Sequence, residues 1–381
     1  MSGKKKATSD AALMLKDILP PVSKAAGVKQ TSPTTRPLLV AFFAVLAFVA
    51  LHAVVDCDFG LFFLPYDDKN HFTNQHIPFP GHFNGQVIWI TGASSGIGAA
   101  LAKDLARGGA KVIITARREA ELVALQQAVA AAKVGLHPLT VKPLDVLDQD
   151  AMARVYAEII AEFGAIDTIV LNAGRGQRSL AADFKVSDTR DLFELNFFSY
   201  VELVKLSLPA FINRRRGSYV IMSSLAGRLG VPITSSYSGT KWALHGYFDA
   251  LRAEVASLGI HVLIVCPGPV QSDIVKNIIT SDARSARHLE QEKNEKKMTT
   301  ERCTYLVAKA MALKFDEVWI SIQPFLLLTY INVYMPFLGR MLFKRVIGPS
   351  RVRAMLTGGD VYDVATILMG GGAGAPGKAE L

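Results

Sequence analysis

Short apolar runs alternate with helical stretches along most of the chain. The runs are VIWIT (87–91), VIITA (112–116), TVKPLDV (140–146), TIVLNAG (168–174), YVIMSS (219–224), VLIVCPG (262–268) and EVWIS (317–321). Runs of nearly continuous Val and Ile are typical of strands that are buried on both faces, and hence of a parallel sheet. Their alternation with helices predicts an α/β domain with a doubly wound parallel sheet of about seven strands.

One apolar run is longer than the others. Residues 38–55 (LLVAFFAVLAFVALHAVV) are apolar except for His52. At ~1.5 Å per residue, such a helix has about the length needed to cross ~30 Å of hydrocarbon, so the run predicts a single transmembrane anchor. A cleaved signal peptide, which would leave a soluble secreted protein, and a buried core helix are the alternatives. The 37 residues that precede the run make a longer leader than a signal peptide usually has.

Composition and charge favour contact between the N-terminal tail and a membrane surface. The chain of 381 residues has a net charge of +9 and a mean hydropathy of +0.26. Residues 1–36 carry seven basic and two acidic side chains, and thus +5 of the total. The body shows no basic stripe with interleaved aromatics, so the tail favours an anionic membrane over nucleic acid. A merely soluble tail is the alternative. Cys57, Cys266 and Cys303 have neither CxxC nor zinc spacing, and no metal site is predicted.

The remaining segment boundaries follow from changes in residue composition along the chain. A basic tail (1–37) precedes the anchor, and a Pro-containing linker (56–81) follows it. The α/β domain is expected over 82–323, followed by an apolar extension at 324–368 and a disordered Gly-rich tail at 369–381.

Two segments after the sixth run allow two interpretations each. The charged stretch 281–302 is either a solvated helix face or a lid, because it follows a strand whose carboxyl end should face a ligand. The apolar stretch 324–338 (PFLLLTYINVYMPFL) is too short to span a bilayer. It is predicted to lie on the membrane surface, with packing in a dimer core as the alternative.

A glycine-rich loop follows the first predicted strand. The sequence TGASSGIG begins at Thr91 and leads into a predicted amphipathic helix, which is the context that a Rossmann-like dinucleotide site requires. The three glycines permit a tight turn, close approach to a pyrophosphate and close helix packing, while the helix N-terminus offers N–H groups to phosphates. A structural turn without a ligand is the alternative. The predicted phosphate-binding residues are Gly92, Ser94, Ser95, Gly96, Ile97 and Gly98.

The end of the second strand indicates which dinucleotide fits. An NAD site usually places an acidic residue there, for the ribose hydroxyls. This chain has TARREAEL instead, with Arg117 and Arg118. Guanidinium groups suit a 2′-phosphate through forked, charge-assisted hydrogen bonds. The sequence therefore predicts NADP(H), with Arg117 as the main determinant and Arg118 as the second candidate, although Glu119 lies nearby.

These motifs resemble those of the short-chain dehydrogenase/reductase family over roughly residues 84–275. TGASSGIG is similar to the family's glycine motif, LDV (144–146) to its adenine segment, and LNAG (171–174) to its NNAG, with Leu171 in place of the first Asn. CPGPVQS (266–272) resembles the PG-x-V-x-T stretch beside the nicotinamide. The resemblance adds these residues to the predicted cofactor site: Asp145, Val146, Asn172, Ala173, Gly174, Pro267, Gly268, Val270 and Ser272, which stands where Thr is usual.

Four polar side chains stand at the family's catalytic positions. ELNFFS supplies Asn196, VIMSS supplies Ser224, and YSGTK supplies Tyr237 and Lys241, both of which also bind the cofactor in this family. Ser224 is preferred to Ser223 because it lies thirteen residues before Tyr237. Tyr237 and Lys241 would share one helix face at positions i and i+4. The resemblance implies that Tyr237 exchanges a proton with the substrate and that Ser224 holds its oxygen. Lys241 and an oxidised nicotinamide would together lower the pKa of Tyr237. Asn196 would hold a water molecule against Lys241.

The resemblance narrows to a membrane-associated, microsomal branch of the family. It rests on GQRSL (176–180), KMTTERC (297–303) and EVWISIQPFLLLTY (317–330). The branch implies an NADP(H)-dependent oxidoreductase that interconverts carbonyls and alcohols of hydrophobic substrates such as steroids, retinoids and aromatic ketones. An NADP(H)-binding membrane scaffold without catalysis is the alternative. The family also implies a homodimer or homotetramer formed through the helices after the fourth and fifth strands.

Charges beside the anchor predict its orientation. Arg36, Lys29 and Lys24 lie within about 20 residues before the run, and Lys69 lies within that distance after it. The richer side is expected in the cytosol. The sequence thus predicts a single-pass protein of the endoplasmic reticulum membrane with its catalytic domain in the lumen.

Overall fold

The structure is a computed structural model that describes residues 57–58, 61, 81–271, 278–280, 297–346 and 352. The predicted anchor at 38–55, the basic tail, most of the predicted linker and residue Ser272 lie outside the described residues. Residues 281–296, 347–351 and 353–381, which include the whole predicted tail, also lie outside the described residues.

A parallel sheet forms the centre of the domain. The strands are β1 (Val87–Thr91), β2 (Lys111–Thr115), β3 (Thr140–Val141), β4 (Thr168–Leu171), β5 (Gln177–Arg178), β6 (Gly217–Met222), β7 (Ile260–Pro267), β8 (Ile279–Thr280) and β9 (Glu317–Ile320). Seven of them pair in the order β3–β2–β1–β4–β6–β7–β9, and every neighbouring pair is parallel. The predicted seven-stranded, doubly wound sheet is confirmed. The strand order reverses between β1 and β4, which is where such sheets bind ligands.

Helices cover both faces of the sheet. They are α1 (Gly96–Arg107), α2 (Glu119–Ala131), α3 (Gln149–Phe163), α4 (Val186–Phe193), α5 (Ser199–Arg214), α6 (Ser235–Val255), α7 (Thr300–Ala312), α8 (Phe325–Tyr334) and α9 (Pro336–Val346). Successive residues of β1 point to opposite faces. Ile88 and Ile90 pack in one core with α1, α2 and α7, whereas Trp89 packs in the other with α3, α5 and α6. This period of two explains why the strands are apolar throughout.

One continuous helical stretch within the described residues is long and apolar enough to cross a membrane. It runs over Val186–Arg214 and comprises α4, a π-helical turn (Glu194–Phe198) and α5. Its residues Tyr200, Leu203 and Phe211 are buried in the core that covers one face of the sheet. The apolar character of this stretch is therefore explained by its place as the crossover between β4 and β6.

Three features of the fold differ from the sequence expectation. Cys57 and Leu61 are buried, and Cys57 forms an antiparallel bridge with Ile320, so the start of the predicted linker packs into the domain. Helix α7 begins at Thr300, inside the stretch predicted as a charged insertion. Strands β5 and β8 form a second, two-stranded sheet that was not predicted. Each of these features depends on contacts between residues that are distant along the chain.

Candidate active site

The glycine loop packs tightly against the end of β4. Gly92 has a φ of +68°, and a Cβ atom there would lie 2.7 Å from Cα of Ala173. A Cβ atom at Gly98 would lie 2.5 Å from Nδ2 of Asn172 and 2.6 Å from the carbonyl oxygen of Gly92. A side chain at either position would collide with backbone or with a fixed amide. The first and third glycines of the motif therefore allow the loop to approach the sheet.

Asn172 supports this loop from the neighbouring strand. Its Nδ2 donates to the carbonyl oxygens of Thr91, at 3.0 Å, and Gly92, at 3.1 Å. The Thr91 hydroxyl in turn accepts from the backbone N–H groups of Asn172 and Ala173, at 3.0 and 3.2 Å. These bonds join the carboxyl ends of β1 and β4. Asn172 thus positions the loop through its side chain.

A cleft lies at the carboxyl ends of β1, β2 and β4, above the glycine loop. Thirteen of the predicted cofactor residues line it: Gly92, Ser94, Ser95, Gly96, Ile97, Gly98, Arg117, Arg118, Asp145, Val146, Asn172, Ala173 and Gly174. Ala116, Leu144, Arg175 and Leu195 complete the lining and were not predicted. Pro267, Gly268 and Val270 lie at and after the end of β7, and do not line this cleft.

The chemistry of the cleft fits an anionic dinucleotide. Helix α1 begins at Gly96, and the side chain of Ser95 at its N-cap position makes no capping hydrogen bond. The first turn of α1 carries no acidic residue. The N–H groups and positive dipole end of this helix therefore meet no competing carboxylate in that turn. Arg117 and Arg118 add positive charge to the same cleft.

The two arginines differ in their contacts. Nη2 of Arg118 donates to the hydroxyl groups of Ser94, at 2.8 Å, and Ser95, at 3.0 Å. Its Nη1 lies 3.4 Å from a carboxylate oxygen of Glu121. Arg117 is exposed and lines the cleft. Arg118 therefore connects the end of β2 to the glycine loop.

Tyr237 and Ser224 meet at the carboxyl edge of the sheet. Their side chains are hydrogen-bonded to each other. The Ser224 hydroxyl also donates to the carbonyl oxygen of Pro267, at 3.2 Å, and accepts from the N–H group of Ala226, at 3.1 Å. Burial raises the pKa of Tyr237, and the hydrogen bond with Ser224 opposes this rise. Tyr237 therefore keeps its phenolic proton at neutral pH.

Lys241 lies one helical turn after Tyr237 and is buried. Its Nζ donates to the carbonyl oxygen of Met222 at 2.7 Å and lies 5.7 Å from the ring centroids of Tyr237 and Tyr200. Burial lowers the pKa of Lys241 to about 7. The lowering of the Tyr237 pKa that was expected from Lys241 together with an oxidised nicotinamide stays a prediction. In the protein alone, burial is the largest influence on the pKa of both groups.

Asn196 lies in the π-helical turn between α4 and α5 and is fully buried. Its Oδ1 accepts from the N–H group of Arg175, and its Nδ2 donates to the carbonyl oxygen of Arg175, both at 2.9 Å. Nδ2 also donates to the hydroxyl of Thr240 at 3.2 Å. π-Helical turns occur frequently at functional sites. Here the turn connects Asn196 to the residue that precedes Lys241.

Gln177 on β5 is a site residue that the catalytic motifs did not identify. Its Oε1 accepts from the N–H group of Tyr237 at 2.9 Å. Tyr237 is the third residue of α6, so this N–H group belongs to a first turn that lacks intrahelical partners. The Gln177 amide nitrogen is buried with no hydrogen-bond partner among the described residues. Its position in GQRSL, a segment that carried the family resemblance, was the available indication.

A second polar cluster lies beneath the catalytic residues. Ser223 and Cys266 lie 3.1 and 3.6 Å from Nε2 of His245, whose Nδ1 lies 3.7 Å from Glu317. Arg228 donates to both carboxylate oxygens of Glu317, with Nε at 2.8 Å from Oε1. His245 thus presents different nitrogens to the sulfur and the carboxylate, and Arg228 already neutralises Glu317. The cluster is an ion pair with hydrogen-bonded neighbours.

Residues 86–283 match the family model described as short chain dehydrogenase. The glycine loop, six of the seven strands of the main parallel sheet and the grouped Ser224, Tyr237 and Lys241 lie within this range, and β9 follows it. The chain belongs to the short-chain dehydrogenase/reductase family of oxidoreductases.

Similarity to individual proteins indicates which branch of the family the chain resembles. Human "Dehydrogenase/reductase SDR family member 7" is 40% identical over 252 residues, which cover 66% of this chain and 74% of that protein. This similarity confirms the branch of the family that the C-terminal motifs indicated. A short-chain dehydrogenase from Streptomyces avermitilis is 29% identical with a TM-score of 0.58, covering 68% of this chain and 96% of its own. A metagenomic short-chain oxidoreductase, solved in complex with NADP, is 27% identical with a TM-score of 0.51, covering 63% and 97%.

Proposed function

We propose that this chain is a membrane-anchored, NADP(H)-dependent oxidoreductase that interconverts carbonyls and alcohols of hydrophobic substrates. The proposal rests on one observation above all. Tyr237 is hydrogen-bonded to Ser224, and Nζ of Lys241 lies 5.7 Å from the centroid of its ring. This group lies at the same edge of the sheet as the anion-binding cleft. A proton donor, an oxygen-binding hydroxyl and a dinucleotide site at one edge are the parts that carbonyl reduction requires.

The lining of the cleft assigns a role to each end of the cofactor. The glycine loop and the N-terminus of α1 would bind the pyrophosphate, Asp145 and Val146 the adenine, and Arg117 with Arg118 a 2′-phosphate. The NADP complex of the metagenomic relative supports the same cofactor for this chain. When bound, the nicotinamide supplies the hydride for reduction or accepts it for oxidation.

The catalytic residues then handle the substrate oxygen. Ser224 would donate a hydrogen bond to that oxygen and stabilise its developing charge. Because burial raises the pKa of Tyr237, the phenol stays protonated near pH 7 and is ready to deliver its proton in the direction of reduction. Lys241 would bind the nicotinamide ribose through its ammonium group. Asn196 fixes the backbone of Arg175 and the hydroxyl of Thr240, next to Lys241.

The competing hypothesis is an NADP(H)-binding membrane scaffold without turnover. Membranes that contain the full chain should oxidise NADPH when given a panel of hydrophobic aldehydes and ketones, with steroids, retinal and aromatic ketones among them. The matched control is Tyr237→Phe, which keeps the cleft and removes the proton donor. Equal, background-level NADPH oxidation by both proteins, together with NADPH binding, would favour the scaffold.

Two exposed aromatic residues support the predicted oligomer. Phe198, the residue before α5, and Trp242, on α6, are 44% and 47% exposed, and these helices follow the fourth and fifth strands of the main sheet. Aromatic residues are enriched in protein interfaces relative to the rest of the surface. The proposed homodimer or homotetramer would cover both. Trp242→Glu should reduce the oligomer to monomers in light scattering of the detergent-solubilised chain.

A further inference from the structure

Four exposed apolar side chains lie together at the junction of α8 and α9. Tyr334, Met335, Phe337 and Met341 are 70%, 52%, 85% and 50% exposed, and we refer to these four residues as the apolar tip. The described residues contain ten exposed large apolar side chains, so four of the ten fall within eight positions. Such clusters on soluble surfaces mark interaction sites, whereas scattered single residues do not.

The tip is held in place by a packed inner face. Leu326 and Thr329 of α8 are fully buried, and Phe325, Tyr330 and Val333 pack against the same core. Gly339 of α9 lies close to the backbone of Asn332, since a Cβ atom there would be 2.4 Å from Cα of Asn332. The helices thus form a fixed hairpin that presents the tip outward. The exposure of the tip results from this packing and not from a loose chain end.

The chain segment around the tip carries basic residues and no acidic ones. Arg340 and Lys344 are exposed and lie one helical turn apart on α9. Between residues 318 and 359 the sequence has no Asp or Glu, while it has five basic residues: Arg340, Lys344, Arg345, Arg351 and Arg353. Aromatic and apolar side chains beside basic ones are the pattern of segments that bind anionic bilayer surfaces.

The chain after the proposed anchor is attached to this hairpin. The N–H group of Asp58 donates to the carbonyl oxygen of Trp319 at 3.0 Å, and the Asp58 carboxylate accepts from the N–H group of Trp319 and from the hydroxyl of Tyr330. The ring of Tyr330 stacks on that of Tyr334, with centroids 5.9 Å apart. The anchor predicted at 38–55 ends two residues before Cys57, a reach of at most ~7 Å. The hairpin thus contacts a residue that lies only three positions after the predicted anchor.

We propose that the apolar tip docks into the surface of the anionic membrane in which the protein is anchored. The inference rests on the membrane anchor of the proposed function and adds a second, interfacial contact. Asn332 of α8 donates to the carbonyl oxygen of Arg228 at 3.3 Å, and Arg228 directly follows the turn that begins at the catalytic Ser224. The docked hairpin would thus hold the turn after Ser224 close to the lipid phase, from which hydrophobic substrates enter.

A fluorescent label on the full chain tests the docking. All three cysteines of the chain are buried, so a cysteine introduced by Phe337→Cys can be labelled selectively with an environment-sensitive nitrobenzoxadiazole dye. Leu136→Cys is the matched control, because Leu136 is 72% exposed in the loop between α2 and β3. Both labelled proteins are reconstituted in phosphatidylcholine vesicles with and without phosphatidylserine, and brominated lipids serve as quenchers.

The dye at position 337 should shift to the blue and be quenched by brominated lipid several-fold more than the dye at position 136. Adding Arg340→Glu and Lys344→Glu should reduce this quenching in the phosphatidylserine vesicles toward the level in pure phosphatidylcholine. Equal quenching at both positions would overturn the proposal. Energy transfer between differently labelled copies at position 337, with no lipid quenching, would overturn it in favour of a second copy of the chain.

Two further measurements keep this test separate from the proposed function. Resistance of the chain to alkaline carbonate extraction reports on the anchor, and NADPH oxidation reports on the reaction. Both can succeed while the dye at position 337 stays in water, in which case the docking alone fails. A chain that is extracted by carbonate would instead refute the anchor on which the inference rests.

Discussion

The Ser223 hydroxyl lies 3.1 Å from Nε2 of the buried His245, although the adjacent Ser224 is hydrogen-bonded to Tyr237. The backbone at Ser224 is extended, with φ of −166° and ψ of 161°. Neighbouring side chains of an extended segment point in opposite directions. Two adjacent serines therefore take different roles, one in the catalytic group and one in the polar cluster beneath it.

Replacing the two serines should separate these roles. Ser224→Ala removes the hydroxyl that faces Tyr237, and we expect kcat to fall by roughly a hundredfold or more, as for other donors to a developing oxyanion. Ser223→Ala leaves His245 without one partner and should lower the free energy of unfolding by about 1–2 kcal/mol, with kcat within a few-fold of wild type. Steady-state kinetics and denaturant unfolding of both variants provide the measurement. The reverse assignment of the two effects would contradict the structure.

Tyr237→Phe should nearly abolish turnover and leave NADPH affinity within a few-fold. In the proposed reaction the phenol supplies the proton that the substrate oxygen needs, while the glycine loop and the N-terminus of α1 would bind the phosphates. Single-turnover kinetics and NADPH fluorescence titration measure the two properties separately. A variant that keeps more than about a tenth of the wild-type kcat would exclude Tyr237 as the proton donor. Lys241→Ala should lose both turnover and cofactor affinity.

Burial of Lys241 should lower the free energy of unfolding by an amount that depends on pH. Its pKa is lowered to about 7 in the folded chain, against an ordinary value near ~10.4 in the unfolded chain. Between these values the unfolded state binds more protons, so the free energy of unfolding rises with pH. Below about pH 7 both states are protonated, and the full cost remains.

Lys241→Met removes this cost together with the activity. The cofactor-free variant should melt at a higher temperature than wild type at pH 7, by about 2–4 °C per kcal/mol gained. The difference should shrink toward pH 10, where the wild-type lysine is neutral in the folded state. Calorimetry at several pH values tests the slope. A difference in melting temperature that does not change with pH would show that Lys241 is not the source.

The sequence predicted those features that depend on near neighbours along the chain. Apolar runs identified all seven strands of the main sheet, because a strand buried on both faces has few polar positions. Strand ends shifted by up to five residues: β2 begins at Lys111, and the half-buried β3 ends at Val141 instead of Val146. The glycine loop was also predictable, since it forms within a single strand–loop–helix unit. The end of the second strand and the family resemblance supplied most of the other residues that line the cleft.

Other features could not be predicted because they join distant segments. Gln177 accepts a hydrogen bond from the N–H group of Tyr237, which lies 60 positions further along the chain. Asp58 accepts one from the N–H group of Trp319, which lies 261 positions further along. No periodicity reports such pairs. The burial that raises the pKa of Tyr237 could not be predicted either, because the neighbouring charge is visible in the motif whereas the degree of burial is not.

The preference for NADPH over NADH should depend on the arginines at the end of β2. We expect Arg117→Ala to reduce the ratio of kcat/KM for the two cofactors by about ten- to a hundredfold, since one forked, charge-assisted contact contributes on the order of 1.5–3 kcal/mol. Arg118→Ala removes the donor to Ser94 and Ser95 and should have a smaller effect on the ratio. Arg154→Ala removes the same charge at an exposed position of α3 and serves as the control for the change in net charge. An unchanged ratio in both β2 variants would refute the 2′-phosphate assignment.

The orientation of the anchor can be tested with introduced glycosylation sites, because the sequence contains no N-x-S/T acceptor of its own. Three basic residues lie close before residues 38–55 and one lies close after, so the basic tail is expected in the cytosol and the catalytic domain in the lumen. Lys185→Asn would create an acceptor with Ser187 at the exposed start of α4, and Asn is also a favourable N-cap residue. Ala7→Asn would create one with Ser9 in the tail. Expressed in microsomes, the first variant should gain a glycan that endoglycosidase removes, and the second should not. A glycan on the tail and none on the domain would place the active site in the cytosol.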